Sequence, residues 1–275
     1  MKRLFALIPL FIVFSVSAQV DPEIEHEIRQ SVKILEQARN AENDSLRIVL
    51  ANQFEDTFVK LLGNDEKLCY SFDSIQPVSV LKSPDNKFRI FTWGLQFSDG
   101  SYKYYGIVEI NVYGDVVILH LDDQSESTSN PATANMQPDN WYGAIYYELV
   151  QLGGKKSNIY ALVGWDGGDL FVNRKVLEQV RVELDNGGKI FFGGHFVDEK
   201  KRNCERLIFE FTERAVMSLR YDKKLKMFVA DHLTAPSEYK GNTKFMGPDG
   251  SFDGYMYDKG YWIYLPDVDV KASRF

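Results

Sequence analysis

After residue 68 the sequence consists of short β-prone segments separated by turn residues, and this pattern restricts what the chain can fold into. Residues 88–97 and 102–110 are rich in aromatic and β-branched side chains, and an Asp99-Gly100 turn separates them. Asp-Gly between two such segments is a strong hairpin signal, because both residues tolerate the positive φ of a tight turn. Recurrence of this pattern predicts antiparallel sheets, packed as a sandwich or closed like a barrel, over residues 64–275.

Further strand candidates continue to the end of this region. They are residues 116–121, 141–149, 159–165, 190–192, 206–211, 217–221, 227–232, 252–257 and 261–265. Residues 125–140 are polar and contain two prolines, which predicts an exposed loop. Residues 173–180 are predicted as one short helix between strands.

An irregular β-propeller is the alternative fold. Residues 83–88, which begin Ser83-Pro84-Asp85, resemble a turn of TolB-like propeller blades, and residues 247–252 look like a second copy. Nothing between these two segments recurs at the spacing of about 40–50 residues that propeller repeats show. The sandwich or barrel therefore remains the preferred prediction.

Two helical patterns occupy residues 19–63, ahead of the β region. Asp21-Pro22 is a helix start signal, and apolar residues then recur at three- and four-residue spacing. Ser45 is predicted to cap a second helix, and Gly63 to end it. The apolar stripes indicate that both helices cover an open face of the domain's own sheet; a partner-binding helix pair is the alternative.

Composition and charge exclude several classes of protein. The chain is 44% hydrophobic and contains 19 Phe, 15 Tyr and 4 Trp, which is too apolar for a disordered segment. Its formal net charge is −7. Because nucleic-acid affinity comes largely from Lys and Arg neutralising phosphates, this charge argues against a nucleic-acid partner.

Residues 1–18 have the three parts of a secretory signal peptide. Lys2-Arg3 is basic, residues 4–16 are almost entirely apolar, and cleavage is expected after Ala18. The alternative, a membrane anchor, needs about 20 apolar residues, and Pro9 interrupts this shorter run. The sequence thus predicts an exported protein, periplasmic or extracellular, without a transmembrane segment after cleavage. Loss of two cations would change its charge from −7 to −9.

Export gives the two cysteines, Cys69 and Cys204, an oxidising environment in which they can pair. A disulfide closing so long a loop stabilises by about 4–5 kcal/mol in the chain-entropy model. Two buried thiols are the alternative, and sequence alone does not place the cysteines within bridging distance. Two cysteines are too few for a four-cysteine zinc site.

Two glycine-rich loops carry pairs of aspartates and are the candidate binding sites. Trp165, Asp166 and Asp169 form one candidate ligand site, and Asp249 and Asp253 form a candidate calcium site. Calcium takes carboxylate and backbone oxygens in flexible geometry, which such loops supply. Aspartate and glycine are also the residues that tight turns prefer, so plain turns are the alternative. No cofactor besides calcium is predicted.

The histidines and the remaining carboxylates form no complete catalytic motif. Asp231 and His232 are adjacent, but neighbouring strand residues point to opposite faces and do not easily serve one site. Paired aspartates such as Asp166 and Asp249, in a cleft with tryptophans, would suit glycoside hydrolysis. Aromatic residues on strands, however, are more often core or cross-strand pairs.

Several stretches after residue 72 share a pattern with other proteins: residues 83–93, residues 160–167 with Arg174-Lys175, residues 219–222 and 231–233, and Pro248-Asp249 with residues 260–262. In these stretches the chain resembles uncharacterised exported proteins of Bacteroidetes-type bacteria. The resemblance implies export and a β-rich domain. It assigns no activity and no ligand residues.

The sequence therefore favours an exported, non-enzymatic protein that binds a ligand or associates with the cell envelope, with a glycan or an envelope component as its partner. A glycan-directed hydrolase that uses paired Asp carboxylates is the alternative. The substrate, the biological process and the oligomeric state stay open.

Overall fold

Two N-terminal helices precede a series of strands in the computed structural model, which describes residues 22–63, 75–185 and 187–270. The elements are α1 (Pro22–Arg39), α2 (Asp44–Leu62), β1 (Ser79–Lys82), β2 (Phe88–Gln96), β3 (Tyr102–Val112), β4 (Asp115–Asp122), β5 (Ile145–Gln151), β6 (Ile159–Asp166), β7 (Val172–Glu183), β8 (Lys189–Phe192), β9 (Phe196–Val197), β10 (Asn203–Cys204), β11 (Arg206–Thr212), β12 (Leu219–Asp222), β13 (Met227–Thr234), β14 (Gly247–Asp258) and β15 (Tyr261–Leu265). The predicted signal peptide lies outside the described residues.

The strands form three larger antiparallel sheets and one two-stranded ribbon. The first sheet has the order β1-β2-β3-β4, and the third has the order β12-β13-β14-β15. The second sheet has the order β11-β7-β6-β5, with β8 also paired to β7. The ribbon joins β9 to β10. The prediction of a mainly β protein with antiparallel sheets and two helices is confirmed.

The sheets stack in layers, because each hydrophobic cluster joins one layer to the next. Helices α1 and α2 cover the outer face of the first sheet, where Phe54 and Phe58 pack against Trp93. The inner face of the first sheet packs on the second sheet. The opposite face of the second sheet packs on the third. The arrangement is a layered sandwich and not a closed barrel.

The propeller alternative finds no support in the described residues. Residues 83–88 form the turn between β1 and β2, whereas residues 247–252 lie within β14. The two similar sequences therefore occupy different positions in their sheets. No described hydrophobic cluster joins the third sheet to the first, which a ring of blades would require.

The helices confirm the predicted role of covering a sheet, with one change at a cap. The side chain of Asn43, not that of Ser45, accepts a hydrogen bond from the Leu46 backbone N–H and begins α2. Gly63 ends α2 as predicted. None of the described helices is both long enough and apolar enough to cross a membrane.

The predicted tight turns are present. Gly100 adopts a φ of 88° between β2 and β3, and Tyr113 and Gly114 adopt positive φ between β3 and β4. Lys259 and Gly260 do the same between β14 and β15. Two consecutive residues with positive φ match the twist of the flanking strands, so these turns set the register of the third and fourth strands of their sheets.

The prediction of a helix at residues 173–180 is wrong, because this segment lies inside β7. Val172, Val176 and Val180 are four residues apart, a spacing that fits one face of a helix and also one face of a strand. All three are buried, and Val176 and Val180 belong to the cluster between the first and second sheets. Pairing with β6 on one side and with β11 and β8 on the other decides in favour of the strand.

Candidate functional site

An opening lies between the second and third sheets, and we call it the interlayer cavity. It measures about 510 Å³, which falls within the range of small-molecule sites. Its walls come from β11, from β13 and β14, from the β9–β10 region, and from the turn at residues 243–246. The lining residues that carry the argument below are Asp198, Glu199, Arg202, Cys204, Phe209, Glu210, Asp231, Met246, Asp253 and Tyr255.

Aromatic and aliphatic side chains form one part of the cavity wall. Phe209 of β11 meets Tyr255 of β14 edge to face, with ring centroids 5.6 Å apart. Leu233 and Met246 line the cavity beside them. This wall can take the apolar face of a ligand, while the polar groups around it fix the orientation.

Strand register places the polar groups of the third sheet on the same side as this wall. Asp253 pairs with Ala230, and Tyr255 pairs with Phe228, so both side chains face the second sheet. His232 lies two residues after Ala230 and points the same way. The register shifts between Asp231 and Leu233, where residues 249–251 of β14 lie opposite the single residue His232 of β13.

Asp253 is the centre of a hydrogen-bonded cluster. His232 Nδ1 lies 2.8 Å from Asp253 Oδ2, and the Tyr264 hydroxyl donates to Oδ1 over 3.1 Å. The contact with Asp253 raises the pKa of His232, because the carboxylate favours the protonated ring. Burial, followed by the charge of Asp253, raises the pKa of Tyr264 to about 12. The Asp253 contact occupies Nδ1 and leaves His232 Nε2 for another partner.

Asp231 is not part of this cluster, in agreement with the expectation that neighbouring strand residues serve different sites. Its carboxylate accepts a hydrogen bond from the Ser218 backbone N–H over 2.8 Å. The partner of His232 is instead two strand positions away across the β13–β14 pair. The acid that pairs with His232 is therefore Asp253 and not the adjacent Asp231.

The rim of the interlayer cavity is charged and mostly paired. Asp198 accepts from Arg202 over 2.7 Å, and Glu210 accepts from Arg174 over 2.8 Å. Glu199 lies 3.7 Å from Lys200. The Lys200 and Arg202 side chains are exposed, so their pairs contribute little stability and can exchange partners, and the carboxylates can then bind the polar groups of a ligand.

Cys204 lines the interlayer cavity and also a second opening of about 360 Å³ next to it. Phe196 and Trp262 stack in the wall of this second opening, with ring centroids 4.4 Å apart. Burial raises the pKa of the Cys204 thiol to about 11, which keeps it protonated at neutral pH. Cys69 lies outside the described residues, so its pairing with Cys204 stays a prediction.

The predicted ligand residue Asp166 is buried and bonded within the protein. Its Oδ1 accepts from Tyr104 over 3.0 Å and from the Gly168 backbone N–H over 2.8 Å. Its Oδ2 accepts from Tyr142 over 2.7 Å and from Arg174 over 3.1 Å. These four bonds use the acceptor capacity of the carboxylate, which makes Asp166 a structural group that holds the first and second sheets together.

The other predicted ligand residues have local contacts. Trp165 meets Tyr102 edge to face, with ring centroids 5.4 Å apart. Asp169 Oδ1 accepts from the backbone N–H groups of Phe171 and Val172, and so closes its own turn. None of Trp165, Asp166 and Asp169 lines the interlayer cavity.

The two aspartates of the predicted calcium site, Asp249 and Asp253, have different hydrogen-bond partners. Asp249 is exposed and accepts from the backbone N–H and the hydroxyl of Ser251, which is an Asx turn, whereas Asp253 is bonded to His232 and Tyr264. The described residues contain no group of three or more acidic, histidine or cysteine side chains arranged to hold a metal. A thermal melt with and without a chelator tests the hypothesis, because a bound ion must raise the midpoint.

A buried ion pair joins β7 and β11, two neighbouring strands of the second sheet, and no local sequence pattern indicates it. Arg206 Nε donates to Glu178 Oε1 over 2.6 Å, and both side chains are fully buried. Tyr146 donates to the other oxygen of Glu178 over 2.5 Å and accepts from the Trp141 indole over 2.9 Å. Arg206 also donates to the backbone oxygen of Ala134 over 2.9 Å.

No family model, no curated protein and no solved structure matches the chain. A functional proposal therefore rests on the sequence and on the geometry of the molecule. The interlayer cavity combines an apolar wall with convergent polar groups, so it is the best candidate for the functional site.

Proposed function

We propose that this protein is an exported, non-enzymatic binding protein of the cell envelope, and that the interlayer cavity holds its ligand. The observation that carries the proposal is the juxtaposition of the Phe209–Tyr255 wall with Asp253, itself bonded to His232, in one cavity of about 510 Å³. Export rests on residues 1–18 and on the resemblance to exported bacterial proteins.

The ligand class that suits this cavity is a saccharide or a similar polyol. Carboxylates accept hydrogen bonds from hydroxyl groups, and the rim supplies several, among them Asp198, Glu199 and Glu210. Aromatic faces pack against the apolar side of a sugar ring. Because most rim charges are paired, the site suits a neutral, hydroxyl-rich ligand better than an ion.

A glycan-directed hydrolase remains the alternative, but the two aspartates first considered for it have other roles. Asp166 is buried with four hydrogen bonds, and Asp249 closes its own turn. A hydrolase would therefore need the Asp253–His232 pair, whose Nε2 is available, as its base.

Binding is tested by thermal melts with maltose, cellobiose and N-acetylglucosamine at millimolar concentration. At least one sugar is expected to raise the midpoint, and Phe209→Leu is expected to weaken that shift at least fivefold. Phe191→Leu is the matched control, because Phe191 is a half-buried aromatic residue on β8 that does not line the cavity. No shift with any sugar, or equal effects of the two variants, rejects the saccharide site. Release of reducing ends from a bound sugar would favour the hydrolase.

Export is tested separately. Expression of all 275 residues in a bacterium is expected to yield a chain that begins at Gln19, as read by intact-mass spectrometry of the periplasmic fraction or the medium. An intact Met1 in the cytoplasmic fraction would reject export without affecting the cavity.

A further inference from the structure

Strand β4 is an edge of the first sheet. Among the described residues, its neighbours besides β3 include the short turn Pro138–Asn140 and Trp141, which bonds to Asp122 at the end of the strand. The other long edges have neighbours. At β1, the hydroxyl of Ser79 donates to the backbone oxygen of Tyr146 on β5. At β11, the Thr212 N–H donates to the Met246 carbonyl over 2.8 Å. At β15, the ribbon strand β9 packs alongside.

The outward direction of the β4 backbone follows from one hydrogen bond. The Trp141 N–H donates to the Asp122 carbonyl over 2.8 Å, so this carbonyl points away from β3. Backbone groups of an antiparallel strand alternate in direction. The register between β3 and β4 is uninterrupted, so the N–H and C=O groups of Val116, Ile118 and His120 point outward as well.

Apart from its contact with Pro138–Asn140, this edge lacks the features that proteins use against strand addition. Such edges are normally protected by lysine, proline, a bulge or a covering element. The β4 sequence from Asp115 to Asp122 contains no lysine and no proline, and its register shows no bulge. Residues 116–119 are apolar and half-buried, so both faces of the strand present apolar surface at the rim.

Carboxylates stand at both ends of the open edge. Asp115 and Asp122 are exposed at the two ends of β4. Near the hairpin, Asp185 accepts from the Tyr113 hydroxyl over 3.0 Å. Near the other end, Glu55 lies 2.9 Å from His120. A strand added here would lie between two acidic ends.

We propose that β4 is a docking edge for an extended peptide segment of another protein, with an apolar centre and Lys or Arg at both ends. The added strand would pair with the outward backbone groups of Val116, Ile118 and His120, a mode known as β-augmentation. Pairing of two copies of this chain fits less well. A symmetric antiparallel pair through these outward groups would be centred on Ile118 and would place Asp115 opposite Leu121 of the second copy, next to its Asp122. The acidic ends of the two copies would then lie close together, and like charges at close range are destabilising. The proposal is independent of the interlayer cavity.

The test uses the purified protein and a synthetic peptide, acetyl-Lys-Val-Thr-Val-Tyr-Val-Thr-Val-Lys-amide. Amide hydrogen exchange followed by NMR is expected to show at least tenfold slower exchange at Val116, Ile118 and His120 with the peptide. Val117 and Leu119 already bond to β3 and are expected to change little. A peptide with Glu at both ends is the matched control, and it is expected to bind at least fivefold more weakly. Absence of this alternation, or equal binding of both peptides, overturns the proposal.

Two proline variants examine the same edge. Ile118→Pro removes an outward N–H and is expected to lose peptide binding, whereas Ile118→Val keeps that N–H and is expected to bind like the original protein. Val116→Pro serves if Ile118→Pro fails to fold, as judged by circular dichroism. Binding that survives proline rejects the edge. Dimerisation in sedimentation, with the same amides protected before peptide is added, would assign the edge to a second copy instead.

Discussion

The two spaces between the three sheets are built from similar residues but have different packing. Between the first and second sheets, large side chains such as Trp141, Tyr146 and Tyr160 are completely buried and fill one hydrophobic cluster. Between the second and third sheets, the chain leaves the interlayer cavity of about 510 Å³. Both spaces contain a carboxylate bonded to tyrosine, Glu178 with Tyr146 in the first and Asp253 with Tyr264 in the second.

Access to water separates the roles of these two carboxylates. Glu178 and Arg206 are fully buried, so each must find its partners inside the protein. His232, the partner of Asp253, keeps 33% of its side chain exposed. A carboxylate–tyrosine pair therefore joins strands of the second sheet where the layers are closely packed, whereas Asp253 lines a cavity where the layers separate.

The largest expected effect is that of breaking the closely packed ion pair. Glu178→Gln leaves the Arg206 charge buried without its counterion, and we expect it to reduce the free energy of unfolding by about 3–5 kcal/mol. Urea denaturation measures this change. Glu213→Gln is the control, because Glu213 pairs with an exposed arginine and its loss should change stability by at most about 0.5 kcal/mol. A loss below about 1 kcal/mol for Glu178→Gln would contradict the structural role.

A smaller loss is expected at the second buried carboxylate of the same space. Asp166→Asn keeps the shape of the side chain but removes its charge and replaces one of the two acceptor oxygens that Tyr104, Tyr142 and Arg174 use. We expect it to reduce the free energy of unfolding by about 1–3 kcal/mol. The same change at Asp169, exposed in the same loop, is the control and should cost less. Sugar binding, if observed, should survive Asp166→Asn, because Asp166 does not line the interlayer cavity. Loss of binding without loss of stability would return Asp166 to the list of ligand residues.

The stabilising effect of the His232–Asp253 contact should depend on pH. Asp253 raises the pKa of His232 above its ordinary value of 6.5, so its stabilising effect is complete below pH 6.5. It is lost as the pH rises through the higher folded value. The melting temperature of the original protein should therefore exceed that of His232→Gln by a few degrees at pH 5.5, and by less at pH 8.5. His26→Gln, exposed on α1, is the control; a difference that does not change with pH would contradict the His232–Asp253 contact.

The smallest effect is expected at the exposed turn beside the cavity. Asp249→Asn alters only the Asx turn with Ser251, and an exposed substitution of this kind should change the unfolding free energy by at most about 0.5 kcal/mol. Urea denaturation with and without calcium measures it. A larger loss that appears only with calcium would show that Asp249 ligates the ion.

Local signals were sufficient for the hairpins but not for the site. The turns at Gly100, Tyr113-Gly114 and Lys259-Gly260 were predictable because their conformation depends on a few neighbouring residues. The segment at residues 173–180 was misassigned because its apolar spacing fits both a helix and a strand. Glu178 and Arg206 were overlooked, since a charged residue on a strand gives no local sign that it will be buried.

The sequence by itself determined the two N-terminal helices, most of the strands, the positions of the tight turns and the mainly antiparallel architecture, because these follow from the periodicity of apolar residues and from backbone preferences. Only the tertiary structure decided which carboxylates are used for packing and which face a cavity. Strand register brings Asp253 to His232 over a separation of 21 residues and Glu178 to Arg206 over 28. That register depends on how whole sheets bury their faces, so no short stretch of sequence records it.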